Sequence, residues 1–390
     1  MLSYLQQKLS PPLRGAAFYG LFWGTIGVFG PFIFVHFERL GVTPQQIGIL
    51  SMTLPVCTLV VSPLVSRLAD RLNKRVMVLA VLALLYAFGL ASLSLPRVFL
   101  HVLFGLLAVN ILRGPIEPIA NSIIVRMSSH YGFNFGRVRM AGSIFFTVTA
   151  IGLGALWQEI GFDWMFYTAG VVMLLTAVSA SLLEDKTPPP VKTEKKAGIG
   201  IIFKDWVLLV ILASSFMVGA AVMMQFTFTS IYVDQIRAGE LVMGLIMGMA
   251  AVGEIPSMEF GVRIIKRLGD IKALLAAYIL LALGMALFGF FTHPLGLILV
   301  SLLRGAGYAL YFVASVMVID RRAPHYLAST YQSISMSIAW GLAPLLSGAV
   351  SGWLYQSIGA QDYFLVCGAV VVVAGLILLP VYLFSKEKAT

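Results

Sequence analysis

The chain has 390 residues, 59% of them hydrophobic and only 11% charged, with a mean hydropathy of +0.93. A soluble domain carries about 25% charged residues, so a water-soluble globule and a disordered chain are both excluded. What remains is an integral membrane protein; the net charge of +10 is placed as topology demands, not as a nucleic-acid surface would be.

Apolar runs long enough for a bilayer-crossing helix, roughly 20 residues, fall at 16–37, 46–65, 76–95, 98–124, 138–158 and 164–183. Six more follow at 207–232, 241–262, 271–291, 295–319, 328–353 and 361–384. The third and fourth are separated only by a turn around Pro96-Arg97. The first run is too long for the apolar region of a signal peptide and lacks a small-residue cleavage pattern, so it is expected to be a retained helix.

Lys and Arg set the orientation. With both termini and every second loop on one side, that side collects 22 of the 27 cations. The other side holds Arg39, Arg97 and Arg237, and Arg113 and Arg304 fall inside spans. The positive-inside rule then places both termini in the cytoplasm, and shifting the count by one helix would scramble the asymmetry.

The longest cytoplasmic connection, 184–206, contains Pro188-Pro189-Pro190 and Lys195-Lys196 and reads as a semi-rigid, solvated linker. It separates an N-terminal bundle, 1–183, from a C-terminal bundle, 207–390, of six spans each. Arg71-Leu72-Asn73 after the second span is echoed by Arg267-Leu268-Gly269 after the eighth. The expected fold is all-α, twelve transmembrane helices in two pseudo-symmetric halves, a transporter plan. Pro and Gly inside spans (Pro31, Pro55, Pro63, Pro115, Pro118, Pro256, Pro344) are tolerated where neighbouring helices or a cavity satisfy the freed carbonyls. Gly142, Ala150 and Gly154 form a small-residue face suited to close helix packing. Cys57 and Cys367 lie in apolar runs and suggest neither a disulfide nor a metal site.

The stretch Ser66-Arg67-Leu68-Ala69-Asp70-Arg71-Leu72-Asn73-Lys74-Arg75 resembles the signature loop of the major facilitator superfamily, with Ser66 and Asn73 where members have Gly. The resemblance implies a cytoplasmic latch through Asp70, Arg71 and Arg75, in which Asp70 pairs with an arginine of a neighbouring helix; alternatively the basic residues only set topology. Phe135-Gly136-Arg137-Val138-Arg139-Met140 and the stretch 352–368 resemble the lactose-permease-like group of that superfamily, which includes oligosaccharide, nucleoside and phenylpropionate proton symporters. By position, Arg139 matches an arginine that binds sugar hydroxyls there, and Phe146 falls where a tryptophan stacks on the sugar. Asn121 replaces a partner carboxylate, while Arg304 and Gly307 stand near the place of a histidine and a proton-carrying glutamate. These departures disfavour lactose itself.

A charge at the centre of a spanning helix costs roughly 2.5–3.5 kcal/mol, so Arg113, Glu117, Glu254 and Arg304 must be paired, hydrated or neutralised. Arg113 and Glu117 are four apart on the fourth helix and so share a face, where they can satisfy each other as either a structural ion pair or a functional one. Glu254 and Arg304 have no opposite charge three or four residues away on their own helices, so a pair between them is expected, with Glu254, or else Glu117, as the proton-carrying carboxylate. Gln225, Tyr308 and Gln332 are further candidates for solute contact. Trp23, Tyr19 and Tyr311 are cavity candidates as well, and all six are equally open to roles as interhelical hydrogen-bond partners or interface anchors. Arg139 is either a surplus positive charge favouring an anionic or hydroxyl-rich solute, or another topology charge.

No HExxH, Walker lysine loop or CxxC pattern is present, so no enzyme activity, metal or other cofactor is expected. The sequence leads to a monomeric proton-coupled symporter of a small organic solute in a bacterial inner membrane, its partners being that solute, protons and lipid. A proton-driven exporter of the same fold is the alternative, and a non-transporting receptor or scaffold a more distant one.

Overall fold

The helices begin and end where local chemistry dictates. Thr43 starts the second span with a reciprocal capping box, its side chain accepting from Gln46 N while Gln46 accepts from Thr43 N, which satisfies two otherwise orphaned donors. Asp205 caps the seventh span, accepting from Val207 N and Leu208 N at 3.1 Å each. The repeated tripeptides also acquire a structural reason. Asn73 and Gly269, third in each, both have positive φ, 51° and 83°; Asn tolerates such a φ, and the extended ψ of 158° at Gly269 is open essentially to Gly alone.

The computed structural model describes residues 8–95, 98–186, 205–323 and 327–386. The turn at Pro96-Arg97, the polyproline and Lys195-Lys196 portion of the linker, and His325 lie outside the described residues. Among those described, eleven helices are long and apolar enough to cross a bilayer. We number them Pro11–Arg39 (span 1), Pro44–Arg71 (span 2), Arg75–Ser92 (span 3), Phe99–Tyr131 (span 4) and Phe135–Ile160 (span 5). The others are Trp206–Gln235 (span 7), Glu240–Leu268 (span 8), Asp270–Phe290 (span 9), Pro294–Arg322 (span 10), Thr330–Ile358 (span 11) and Ala360–Leu383 (span 12). Span 6, Met165–Ser181, has 17 residues. It rises about 25 Å, at the short end of what a bilayer requires.

The chain forms two units: Met1–Val191 with Arg237–Gly248, and Lys192–Ile236 with Met249–Thr390. The same packing partners recur at a distance of six spans. Spans 1 and 5, 1 and 6, 3 and 4, and 3 and 6 pack in the first unit. Spans 7 and 11, 7 and 12, 9 and 10, and 9 and 12 pack in the second. Two pseudo-symmetric six-helix halves are therefore present, as the major facilitator plan requires.

Close approach between the paired spans depends on missing side chains. A Cβ on Gly27 of span 1 would stand 2.7 Å from the Phe146 carbonyl oxygen of span 5, and one on Gly219 of span 7 would stand 2.1 Å from the Ala339 carbonyl oxygen of span 11. Ala339 lies in a wide turn, Ile338–Leu342, where the Ala343 N–H reaches back five residues to the Ile338 carbonyl. Pro344 follows and has no N–H to give. In this bulge the Ala339 carbonyl faces Gly219 of span 7, where the missing side chain leaves it room.

At the ends carrying the basic loops, each unit is tied by ion pairs. In the first, Asp185 meets Arg75 at 3.3 Å and Arg126 at 3.4 Å, and Arg14 donates to Glu184 at 2.7 Å and to the Leu182 carbonyl at 3.2 Å. In the second, Arg321 meets Asp270 at 2.6 Å and Arg322 meets Asp205 at 2.9 Å. At the opposite end of the first unit, Arg39 pairs with Glu240 at 2.8 Å.

Burial alone would raise the Glu184 carboxyl, but hydrogen bonds from Tyr131, Arg14 and Lys186 outweigh it and hold its pKa down at about 2. A depressed folded-state pKa stabilises the fold above the ordinary carboxylate range and loses that contribution as pH falls toward the folded value. Thermal unfolding of Glu184→Gln is therefore expected to lie below wild type at pH 7, with the gap narrowing from about pH 4.5 downward. A gap independent of pH would refute this assignment.

Candidate functional site

In the first unit the polar side chains converge where spans 1, 4 and 5 meet. Asn134 opens span 5 by accepting from Arg137 N at 3.1 Å, and Arg139 follows in the first turns. Its Nη2 lies 3.6 Å from Glu117 Oε1 of span 4. Its guanidinium lies over the Trp23 ring at 4.6 Å and the Tyr19 ring at 5.4 Å, both of span 1. Tyr19 donates its hydroxyl proton to Asn121 Oδ1 at 2.5 Å. Phe146 meets Trp23 edge-on at 6.5 Å, and Phe135 meets Tyr19 at 6.1 Å. Arg139 and Glu117 keep 31% and 36% of their side chains accessible, so the unit itself does not seal the pair.

The ion pair corrects the expectation that Arg113 and Glu117 satisfy each other. The four-residue rule assumes an uninterrupted helix, but span 4 is broken at Gly114-Pro115 between Phe99–Arg113 and Ile116–Tyr131. Glu117 takes its contact from span 5 instead, while Arg113 acts on it only through its field. Tyr19 and Trp23, open from the sequence to roles as cavity residues or as anchors, flank the guanidinium. An apolar first span gives no sign of which face meets span 5, and only Arg139 on the partner helix could have pointed to them.

In the second unit the candidates are less closely gathered. Arg304 on span 10 is 9% exposed, and its Nε has no hydrogen-bond partner. Its Cα stands 2.8 Å from where a Cβ on Gly284 of span 9 would be, which sets the base of the side chain against span 9. Glu254 on span 8 lies close enough for its charge to act on Arg304. Gln225 on span 7 is wholly buried, and neither of its amide atoms has a partner. An unmatched buried polar group costs about 1–3 kcal/mol, a cost that water or a bound solute would offset. Tyr308 packs edge-on against Trp340 at 5.7 Å. Gln332 Nε2 donates to the Val316 carbonyl at 2.7 Å, so that amide already ties span 11 to span 10.

The signature loop has its own arrangement. Asp70 accepts from Arg75 Nε across the turn between spans 2 and 3, and Arg75 also reaches Asp185. Arg71 is exposed and forms no ion pair among the described residues. No cluster of three or more His, Cys, Asp or Glu suited to a metal occurs among the described residues.

Comparison with known proteins adds a family and relatives. Residues 13–366 match the model of the MFS_1 like family. A maltose permease of Geobacillus stearothermophilus is 24% identical over 367 residues, covering 93% of each chain. A probable 3-phenylpropionic acid transporter of Escherichia coli (strain K12) is 23% identical over 354 residues, covering 87% of this chain and 90% of that one. The crystal structure of the nucleoside transporter NupG aligns over 96% of this chain and 99% of its own, with a TM-score of 0.82 at 15% identity. All three are transporters rather than enzymes.

Proposed function

Since the chain belongs to the MFS_1 like family and is a multi-pass membrane transporter of a small solute, we propose that it is a proton-coupled symporter that imports an anionic or hydroxyl-rich organic solute by alternating access. The observation that carries this reading is the Arg139–Glu117 pair, 3.6 Å apart and about one-third accessible, walled by Tyr19 and Trp23. Arg113 and Arg139 outnumber Glu117 in the first unit, leaving a positive charge for an anion or for hydroxyl acceptors. An ionisable pair within spanning helices is expensive unless it faces a watered path or a partner, and transport requires such a path.

In this reading Arg139 and Phe146 meet the solute in the first unit together with Arg113 and Asn121. Gln225, Tyr308 and Gln332 contribute from the second. Glu254, beside Arg304, carries the proton, with Glu117 as the other candidate. Asp70, Arg71 and Arg75 form the cytoplasmic latch of a monomer in a bacterial inner membrane, both termini inside. The named relatives suggest maltose, a nucleoside or 3-phenylpropionate as the first solutes to try.

Proteoliposomes with an acidic exterior and a neutral lumen test the proposal. At least one of maltose, uridine and 3-phenylpropionate is expected to accumulate inside, and to stop when the gradient is collapsed. Extrusion against the same gradient would establish the exporter instead, and uptake indifferent to the gradient would remove proton coupling.

A further inference from the structure

We propose that Trp23 and Gly142 act as a positioning device that fixes the Arg139 guanidinium, an inference that rests on Arg139 being the solute-binding cation. Arg139 is long and flexible, and holding it still costs side-chain entropy. Glu117 at 3.6 Å is too far for a charge-assisted hydrogen bond, which runs to about 2.7–2.9 Å. The carboxylate therefore compensates the charge without setting its place.

Trp23 supplies what Glu117 does not. Its ring lies 4.6 Å from the guanidinium carbon, nearer than Tyr19 at 5.4 Å, and an indole face is the strongest aromatic partner for a cation. The ring is itself braced edge-on by Phe22 at 5.9 Å and by Phe146 at 6.5 Å. Its Nε1 is buried and has no hydrogen-bond partner, so packing alone holds the indole.

Gly142 makes the arrangement possible. It follows Arg139 by three residues and so lies on the same helical face. A Cβ at Gly142 would stand 2.7 Å from Trp23 Cδ1, 3.0 Å from Arg139 Nη1 and 3.1 Å from Trp23 Cγ. Any side chain there would push the indole and the guanidinium from their shared place. Gly142 thus does more than let spans 1 and 5 approach: it is the floor on which ring and cation meet.

Labelling of arginines by phenylglyoxal, followed by mass spectrometry of protein in proteoliposomes, reads this without any solute. Exposed Arg71 serves as the internal reference. Trp23→Leu is expected to raise Arg139 labelling about fivefold, and Trp23→Phe, which keeps a ring face, by less than about twofold. Gly142→Ala is expected to raise it as Trp23→Leu does, and the double substitution to add nothing further, because both act through one contact. Unchanged Arg139 labelling in Trp23→Leu, or effects that multiply in the double variant, would overturn the proposal. Should Gly142→Ala fail to fold, the contrast of Leu with Phe at Trp23 decides alone. Uptake that persists in Arg139→Gln would remove the solute-binding role while leaving the labelling result standing, so the two ideas fail separately.

Discussion

Glu254→Gln is expected to equilibrate solute across the membrane without concentrating it. The side chain is partly accessible on span 8 and lies in the field of Arg304, so its charge state bears on a buried cation. Glutamine keeps the shape and hydrogen-bonding capacity but cannot take up or release a proton. One pH unit corresponds to about 1.36 kcal/mol, which for one proton per solute permits up to about tenfold accumulation. In the variant this ratio should fall to unity while exchange of labelled for unlabelled solute continues. Full accumulation in Glu254→Gln would exclude this carboxylate and pass the role to Glu117.

Arg139→Lys should weaken apparent affinity by about 10- to 100-fold, the loss of one strong hydrogen bond from a charged group. Lysine preserves the positive charge beside Glu117, so insertion and charge balance are retained. It loses the planar fork that can bind two oxygens at once and stack on an aromatic face. The half-saturating concentration for whichever solute accumulates is the quantity to measure. A lysine variant with wild-type affinity would show that charge alone matters and that the stacking between Trp23 and Tyr19 does not.

The span pattern was legible because it follows from solvent: hydrocarbon demands apolar runs, and the distribution of Lys and Arg fixes their alternation. The duplication was legible in Arg71-Leu72-Asn73 and Arg267-Leu268-Gly269, whose last residues both have positive φ. The pairing of Glu117 was not legible, because it depends on how Gly114-Pro115 interrupts span 4 and on which face of span 5 turns inward. Trp23 was likewise invisible as a neighbour of Arg139, since the middle of span 1 carries no charge to mark the face that turns toward span 5. Gly142 carried a correct signal of close packing, but the charge it makes room for becomes apparent only once Trp23 is in place.

The wide turn at Ile338–Leu342 has a consequence for how the two repeats correspond. Such a turn takes up one residue beyond a regular one, and each residue of an α-helix advances the azimuth by about 100°. Residues before and after the bulge in span 11 are therefore out of phase, and a single helical wheel over 330–358 overlays positions that point in different directions. Overlaying span 11 on span 5, which occupies the equivalent packing position, without a gap would slip by one place past Ile338. Span 5 is a regular α-helix over Phe135–Ile160, so the repeat of packing partners between the units hides a local change of helical phase in span 11 alone.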